Sequence, residues 1–397
     1  MQRNYAYYKK AFDGIPKPFG FVDLDLLDHN IARITARAGS KNIRIATKSV
    51  RSTPLIKRIL HSSPVFCGLM CFSPQEAIYL LKQGMDDIVM GYPVWEPGAL
   101  SGLAELIRHG KSVTLMVDSI AHIEHIEGIA KRYGVRFPVC LDMDMSMDMP
   151  GLHFGVWRSP IRTVEDARPV VARILSSGGV TMDGVMGYEA QIAGVGDHAP
   201  GMAAKNALVR TLKRRSVKLI AEKRAELVAM IEDALGSPLR FVNGGGTGSL
   251  RTTTQEEAVT EVTVGSGFFS PGLFDHYKDF RYQPAAGFAV EIVRKPAEHL
   301  YTCLGGGYAA SGPAGKDKLP KPYLPQGAAL LSLEGAGEVQ TPVLYKGEEQ
   351  LDLGDPVFFR HAKAGELCER FTHLYGVSQG QVVDQISTYR GDGQCFL

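Results

Sequence analysis

Short runs of apolar and β-branched residues recur eight times between residues 43 and 266, and most precede a segment of helical spacing. The runs are IRIATK (43–48), VFCGLM (65–70), DIVMGYP (87–93), SVTLMVD (112–118), FPVCLDMD (137–144), DGVMGYEA (183–190), LRFVNGGGT (239–247) and AVTEVTVGS (258–266). The clearest intervening helix is IAHIEHIEGIAKRYG, with Ile120, Ile123, Ile126 and Ile129 on one side and His, Glu and Lys elsewhere. Another, SPQEAIYLLKQG, opens on Ser-Pro, carries Glu76 in its first turn and stops at Gly84. Continuous apolar strands alternating with amphipathic helices predict a parallel sheet covered by helices, an α/β architecture. Eight such units fit a (β/α)8 TIM barrel, whose usual size is about 250 residues. An open doubly wound sheet would place its glycine-rich loop after the first strand. Here that loop follows the seventh, which favours the barrel.

Beyond residue 280 the texture changes to short β-rich stretches between Gly/Pro loops, AAGFAVEIVRKP, LYTCLGGGY, GAALLSLEGAGEVQTPVLY and DPVFFRHAKAGELCERFTHLYGV. The expected division is a barrel over residues 26–280 and a β-rich domain from 1–25 plus 281–397, with FGFVDLD (19–25) joining the C-terminal sheet. The basic stretch KNALVRTLKRRSVKLIAEKRAELVAMIEDALG reads as a long helix whose apolar stripe is Leu208, Leu212, Val217 and Ile220. Its later glutamates balance the lysines and arginines, so a solvated outer face is favoured over an RNA-binding surface.

Composition adds mainly exclusions. A net charge of +2 carries no nucleic-acid or membrane signature. No apolar run approaches the roughly 18 residues of a membrane span, and the aromatic, basic start MQRNYAYYKKAFDGIPKPFG lacks the apolar core of a signal peptide. Six cysteines are too sparse for a disulfide scaffold and read as the reduced thiols of a cytoplasmic protein. CGLMC (67–71) lies in or just past an apolar strand and reads as core packing.

Chemistry concentrates at strand ends. FVNGGGTGSL (241–250) ends the seventh strand, where glycines bring backbone N–H groups close to a ligand and Thr247 adds a hydroxyl. VGSG (264–267) after the eighth supplies another small-residue turn with Ser266. Either alone reads equally well as a tight turn. Together, on neighbouring strands of one barrel mouth, they predict a phosphate site. A lysine at a strand end is ordinarily a solvated residue. Lys48 ends the first strand, beside the eighth once the barrel closes, and there fits a Schiff base to a phosphorylated aldehyde.

At this point PFGFVDLDLLDHNI…IRIATKSVRS resembles the opening of the fold-type III pyridoxal-phosphate (PLP) enzymes, with a barrel of the alanine racemase N-terminal type. The branch it is similar to is the D-threonine aldolase and D-serine dehydratase-like (amino acid deaminase/aldolase) group. Arg44 four residues before Lys48, NGGGTGSL and VTEVTVGSG match that branch. The resemblance implies that Lys48 carries PLP, that Gly245, Gly246, Thr247, Gly265 and Ser266 hold its phosphate, and that Arg44, Asn243 and Tyr188 also contact it. Gln191 in GYEAQIAG and Arg158 in LHFGVWRSP are candidates for binding substrate, the alternatives being barrel packing for Tyr188 and a surface loop for Arg158. It further implies a homodimer taking a small amino acid as substrate.

Two departures from the family pattern stand out. Relatives carry Asp-x-Gly-x-x-Arg-x-Gly after the fifth strand, with the arginine facing the pyridine nitrogen; here Met149 occupies that position, and Arg44, on the side of the strand that bears Lys48, is expected to supply part of the charge. Relatives also have His-x-Asp or His-x-Cys metal ligands in the β-domain. Here alignment on the cysteine gives Glu366-x-Cys368 on one face of a strand, with His361 upstream, as a candidate site for Mn, Mg or Zn and for the catalytic roles of His361 and Cys368. The alternative is that these residues line a pocket or an interface without metal. The resemblance implies a lyase for β-hydroxy-D-amino acids of the D-threonine aldolase type. Dehydratase/deaminase is the alternative, and racemase or non-catalytic PLP carrier further ones.

Overall fold

The computed structural model describes residues 3–313 and 315–397 of the chain, so positions 1 and 2 of the expected N-terminal range lie outside the described residues. Two compact units emerge. One takes the chain up to Ile34, Ser49–Lys57 and Ser266–Cys395; the other takes Thr35–Lys48, Arg58–Gly265 and the last two residues.

The second unit is the expected barrel. Its eight strands are Asn42–Ala46, Phe66–Cys71, Ile88–Met90, Val113–Val117, Phe137–Asp142, Val180–Gly187, Phe241–Gly244 and Glu261–Val264, all parallel and closed into a ring. Closure comes from the eighth strand pairing with the first, Thr263 opposite Arg44 and Val264 opposite Ile45. Each strand overlaps its expected run; five lie within it, while Asn42–Ala46 and Val180–Gly187 begin before theirs and Phe66–Cys71 ends one residue after. The capping chemistry behaves as the spacing predicts. The Ser73 hydroxyl accepts the Glu76 N–H to open the helix Pro74–Lys82, and Gly134 in the left-handed conformation closes Ile120–Tyr133. In that helix Ile123, Ile126 and Ile129 are buried while Ile120 lies at its exposed start. The 33-residue helix Ala203–Leu235 buries Val209, Leu212, Ile220, Leu227, Val228 and Ile231 and leaves Leu208 in solvent, so the stripe begins one residue later than expected.

Val89, Met116, Cys140, Met186 and Phe241 fill the barrel interior, with Met70 against them. Next to this apolar plug sits a buried polar pillar. Arg44 Nε and Nη2 donate to the two carboxylate oxygens of Glu261 at 2.7 and 2.9 Å, and Nη1 donates to the Asp87 carbonyl at 2.7 Å. Asn243 Nδ2 donates to Glu261 Oε1 at 2.8 Å and to Thr263 Oγ1 at 2.9 Å, and Thr263 returns a hydrogen bond to Asn243 Oδ1. Burial alone would push the Glu261 carboxyl up, but Arg44 and the amide of Asn243 hold it below its ordinary value. Arg44 and Asn243, expected as cofactor contacts, both donate to Glu261. Asp87 and Glu261 lie at the N-terminal ends of the third and eighth strands, so Arg44 runs away from the C-terminal mouth of the barrel.

The first unit is built on a nine-stranded sheet. Phe19–Asp23 joins it as expected, antiparallel to Ala286–Ala297 and parallel to His373–Ser378. Aromatic side chains from the N-terminal helix Tyr5–Ala11 and its continuation (Tyr8, Phe12) pack on Phe21 and Phe358. Among the described residues no helix is long and apolar enough to cross a membrane, and all six cysteines are free.

Candidate active site

The first strand stops at Ala46, and a single 3-10 turn, Thr47–Ser49, follows. The Thr47 hydroxyl donates to the Met70 carbonyl at 2.9 Å, pinning that turn to the second strand and leaving Lys48 exposed at the C-terminal end of the barrel. Its ammonium lies 5.9 Å from the ring centre of Tyr92, which follows the third strand. Arg158 also reaches this ring: its guanidinium carbon is 5.3 Å from the Tyr92 ring centre and 6.0 Å from that of Tyr188. Lys48 first, then Arg158, each hydrogen-bonding to the phenol, hold the Tyr92 hydroxyl below its ordinary pKa against the opposing effect of burial.

Arg158 reaches this position because the chain after the fifth strand goes out and back. Met147–Met149 and Leu152–Phe154 form a small hairpin, so Met149 lies in a two-stranded excursion. The returning backbone is then fastened. Arg158 N–H donates to Asp144 Oδ2 at 3.3 Å, and the Ser159 hydroxyl to the Asp142 carbonyl at 2.8 Å. The guanidinium itself is 2.7 Å from Asp142 Oδ2 and donates to the Gly91 carbonyl at 2.7 Å. Asp142 is 2 % exposed, and its Oδ1 has no hydrogen-bond partner. Burial pushes its carboxyl up to about 7, with Arg158 pulling the other way and Asp118 and Asp144 reinforcing burial. The surface-loop alternative for Arg158 is thereby excluded.

The glycine loop after the seventh strand is organised from behind by Glu189. Its carboxylate accepts the Gly245 N–H at 3.1 Å, the Ser249 hydroxyl at 2.9 Å and the Thr253 hydroxyl, and pairs with Arg224 Nη2 at 3.1 Å. Gly246 N–H donates to Ser249 Oγ at 3.1 Å. The N–H groups of Gly245 and Gly246 are thus both engaged inside the loop, where they shape the turn. A Cβ on Gly246 would sit 2.9 Å from the Ala193 methyl and 3.4 Å from the Tyr188 ring, so the loop closes tightly on that tyrosine. Thr247 is buried at the loop's crest, and Gly265 follows the eighth strand.

Residues 22–269 match the family model described as alanine racemase, N-terminal domain. The chain belongs to the alanine racemase N-terminal domain family. Relatives of this alanine racemase-type chain include a 3-hydroxy-D-aspartate aldolase of Paracoccus denitrificans (strain Pd 1222), 24% identical over 267 residues, which are 67% of this chain and 63% of the aldolase. A D-threo-3-hydroxyaspartate dehydratase of Delftia sp. (strain HT23) is 25% identical over 252 residues, 62% of this chain and 60% of the dehydratase. The matches therefore span under two thirds of these relatives' lengths. Among solved structures, D-threonine aldolase from Filomicrobium marinum superposes with a TM-score of 0.79 at 16% identity over 96% of both chains. The Delftia dehydratase does so at 0.74 and 20% identity, over 94% of this chain and 98% of that one. A variant of that dehydratase has been solved in a metal-free form.

The other expected residues fall as follows in this racemase-family chain. Tyr188 directly follows the sixth strand and lies against the glycine loop, its phenol pushed up to about 12 by burial and by Glu189. Gln191 is buried and donates to the Met145 carbonyl at 2.5 Å, bracing the 143–146 segment, while its Oε1 has no partner. Ser266 belongs to the other unit, its hydroxyl 3.2 Å from that of Ser49. There too, Glu366 and Cys368 lie in a 3-10 turn, Glu366–Glu369, which corrects their placement on one face of a strand. Glu366 Oε1 accepts the Ser311 N–H at 2.9 Å, burial pushes the Cys368 thiol up to about 12, and burial lowers His361 to about 3. Among the described residues no three His, Cys, Asp or Glu side chains are gathered to hold a metal ion, so the expected trio does not fit one.

Three participants escaped the sequence reading: Tyr92, Asp142 and Glu189. Each follows or ends a barrel strand, as Lys48 does, and that shared position was the available signal.

Proposed function

We propose that this chain is a PLP-dependent lyase that cleaves β-hydroxy-D-amino acids to glycine and an aldehyde. The observation that carries the reading is the exposed Lys48 amine at the barrel mouth, flanked by Tyr92 and Arg158 and backed by a tightly closed glycine loop. The donor set fits PLP: a primary amine for its aldehyde, Thr247 and Gly265 for its phosphate, and Tyr188 packed on the loop between. Bound PLP would supply an electron sink for charge developing at the substrate α-carbon.

The remaining work falls to side chains. Lys48 holds the cofactor covalently through its amine. Arg158 provides a fixed cation at the mouth for a substrate carboxylate, held there by Asp142 and the Gly91 carbonyl. Tyr92 carries the phenol suited to take the β-hydroxyl proton as the Cα–Cβ bond breaks, because two neighbouring cations favour its ionised form.

Dehydration to a keto acid and ammonia is the second reading, favoured by the similarity to the Delftia dehydratase. Incubation with D-threonine and D-serine separates the two: glycine plus acetaldehyde supports the aldolase, keto acid plus ammonia replaces it. Racemisation without cleavage, or cofactor binding without turnover, would overturn both. The cofactor assignment is tested by a visible absorbance band that borohydride abolishes and that Lys48→Ala lacks. A wild-type protein that takes up no PLP would sink it.

A further inference from the structure

Glu189 is 1 % exposed and makes no contact that catalysis at Lys48 requires, yet four donors converge on it. The Gly245 N–H and Arg224 Nη2 reach Oε2, while the Ser249 and Thr253 hydroxyls reach Oε1. Ser249 relays the contact further, since its oxygen accepts the Gly246 N–H. One carboxylate therefore fixes both glycine peptides and the start of the short helix Leu250–Thr253. Its charge is countered by Arg224 from the long helix. Arg224 also donates to the Gly187 carbonyl at 2.9 Å and pairs with Glu256. Arg224 passes beside Gly244, where a Cβ would lie 3.0 Å from Nη2. The network thus ties the end of the sixth strand, the seventh-strand loop and the outer helix into one rigid turn.

We propose that Glu189 is a positioning residue for the phosphate end of the cofactor: by drawing the Gly245 N–H, and through Ser249 the Gly246 N–H, inward, it sets the course of the loop that carries Thr247 to its crest. The inference rests on the PLP reading above. Its chemical basis is that all four partners of Glu189 are donors, so only an acceptor-only group satisfies them together. An amide at this position turns an N–H₂ toward at least one donor, and the loop must shift to relieve it.

The test compares PLP with pyridoxal, which has the same aldehyde but no phosphate, binding to apoprotein of wild type and Glu189→Gln, followed by absorbance. The expected result is PLP affinity weakened at least about tenfold, the loss of one charge-assisted hydrogen bond or more, with pyridoxal affinity unchanged within about twofold. If Glu189→Gln does not fold, Ser249→Ala, which removes one donor and the relay to Gly246, takes its place with the same expected selectivity. Equal losses for both ligands, or no loss for either, in whichever variant folds overturn the proposal. A wild type that binds PLP and pyridoxal equally well also overturns it, while a wild type that binds neither fails the cofactor reading itself.

Discussion

Replacing Asp142 with asparagine isolates the most strongly perturbed carboxyl at the barrel mouth. Folding raises this group from 3.8 to about 7, chiefly through burial, with Arg158 opposing and Asp118 and Asp144 assisting. A folded-state value above the unfolded one means that the native protein binds the proton more tightly. The contribution is therefore complete below about pH 4 and is lost as pH rises through about 7. The span between the two values corresponds to about 4 kcal/mol. The asparagine amide does not titrate, so the stability of wild type relative to Asp142→Asn should fall by about that amount between pH 4 and pH 8, a change of about 5 °C in melting temperature. Loss of the Arg158 ion pair displaces the variant's whole curve but not its slope, because the arginine keeps its charge throughout the window. Calorimetric melts of both proteins at half-unit pH steps measure the difference directly. A difference that is flat with pH, or that grows toward pH 8, would refute the reasoning: it would mean that Arg158 outweighs burial and that Asp142 is ionised throughout.

Tyr92 offers a spectroscopic check on the same cluster: in an ultraviolet titration of the apoprotein, its phenol should ionise below the ordinary tyrosine range. Tyr92→Phe should remove that early phase and Arg158→Met should move it to higher pH. Survival of the phase in Tyr92→Phe would assign it elsewhere. Arg44→Met leaves Glu261 buried without its partner and should cost about 3–5 kcal/mol in chemical denaturation. The double change Arg44→Met with Glu261→Met should recover most of that loss, and an additive double variant would contradict the pairing.

The architecture was legible because it depends on periodicity. Strand runs, helix starts and the position of FGFVD in the second sheet all follow from local pattern plus closure. Side-chain direction was less legible, and Arg44 shows why. Counting pleats from Lys48 assumes that the strand continues to Lys48, but it ends at Ala46 and a 3-10 turn breaks the alternation. Arg44 does point into the barrel; its length then carries the guanidinium toward Asp87 and Glu261, a choice made by where acceptors lie in three dimensions. The same limit hid Glu189. Its four donors come from Arg224, Gly245, Ser249 and Thr253, which only the closed barrel brings together. Glu366 and Cys368 failed differently: spacing of two was read as one strand face, but Gly365 precedes them in a non-extended conformation and the chain turns.

The barrel's charges divide by function along its axis. At the N-terminal ends of the strands, Arg44 with Glu261 and Asp87, and Arg240 with Asp183, are paired with each other, so their fields largely cancel and they offer little to a ligand. At the C-terminal ends Asp142 keeps an unpartnered oxygen, and Tyr92 lies near the cations of both Lys48 and Arg158. The motif residues that accompany Lys48, Arg44 before it and Glu261 in VTEVTVGSG, thus belong together for a physical reason. They are the two halves of the pair that joins the first strand to the eighth, and that seam sets where the turn bearing Lys48 begins. Met149 lies in the hairpin formed by Met147–Met149 and Leu152–Phe154, and Arg158, beyond that hairpin, is the residue whose guanidinium reaches the Tyr92 ring.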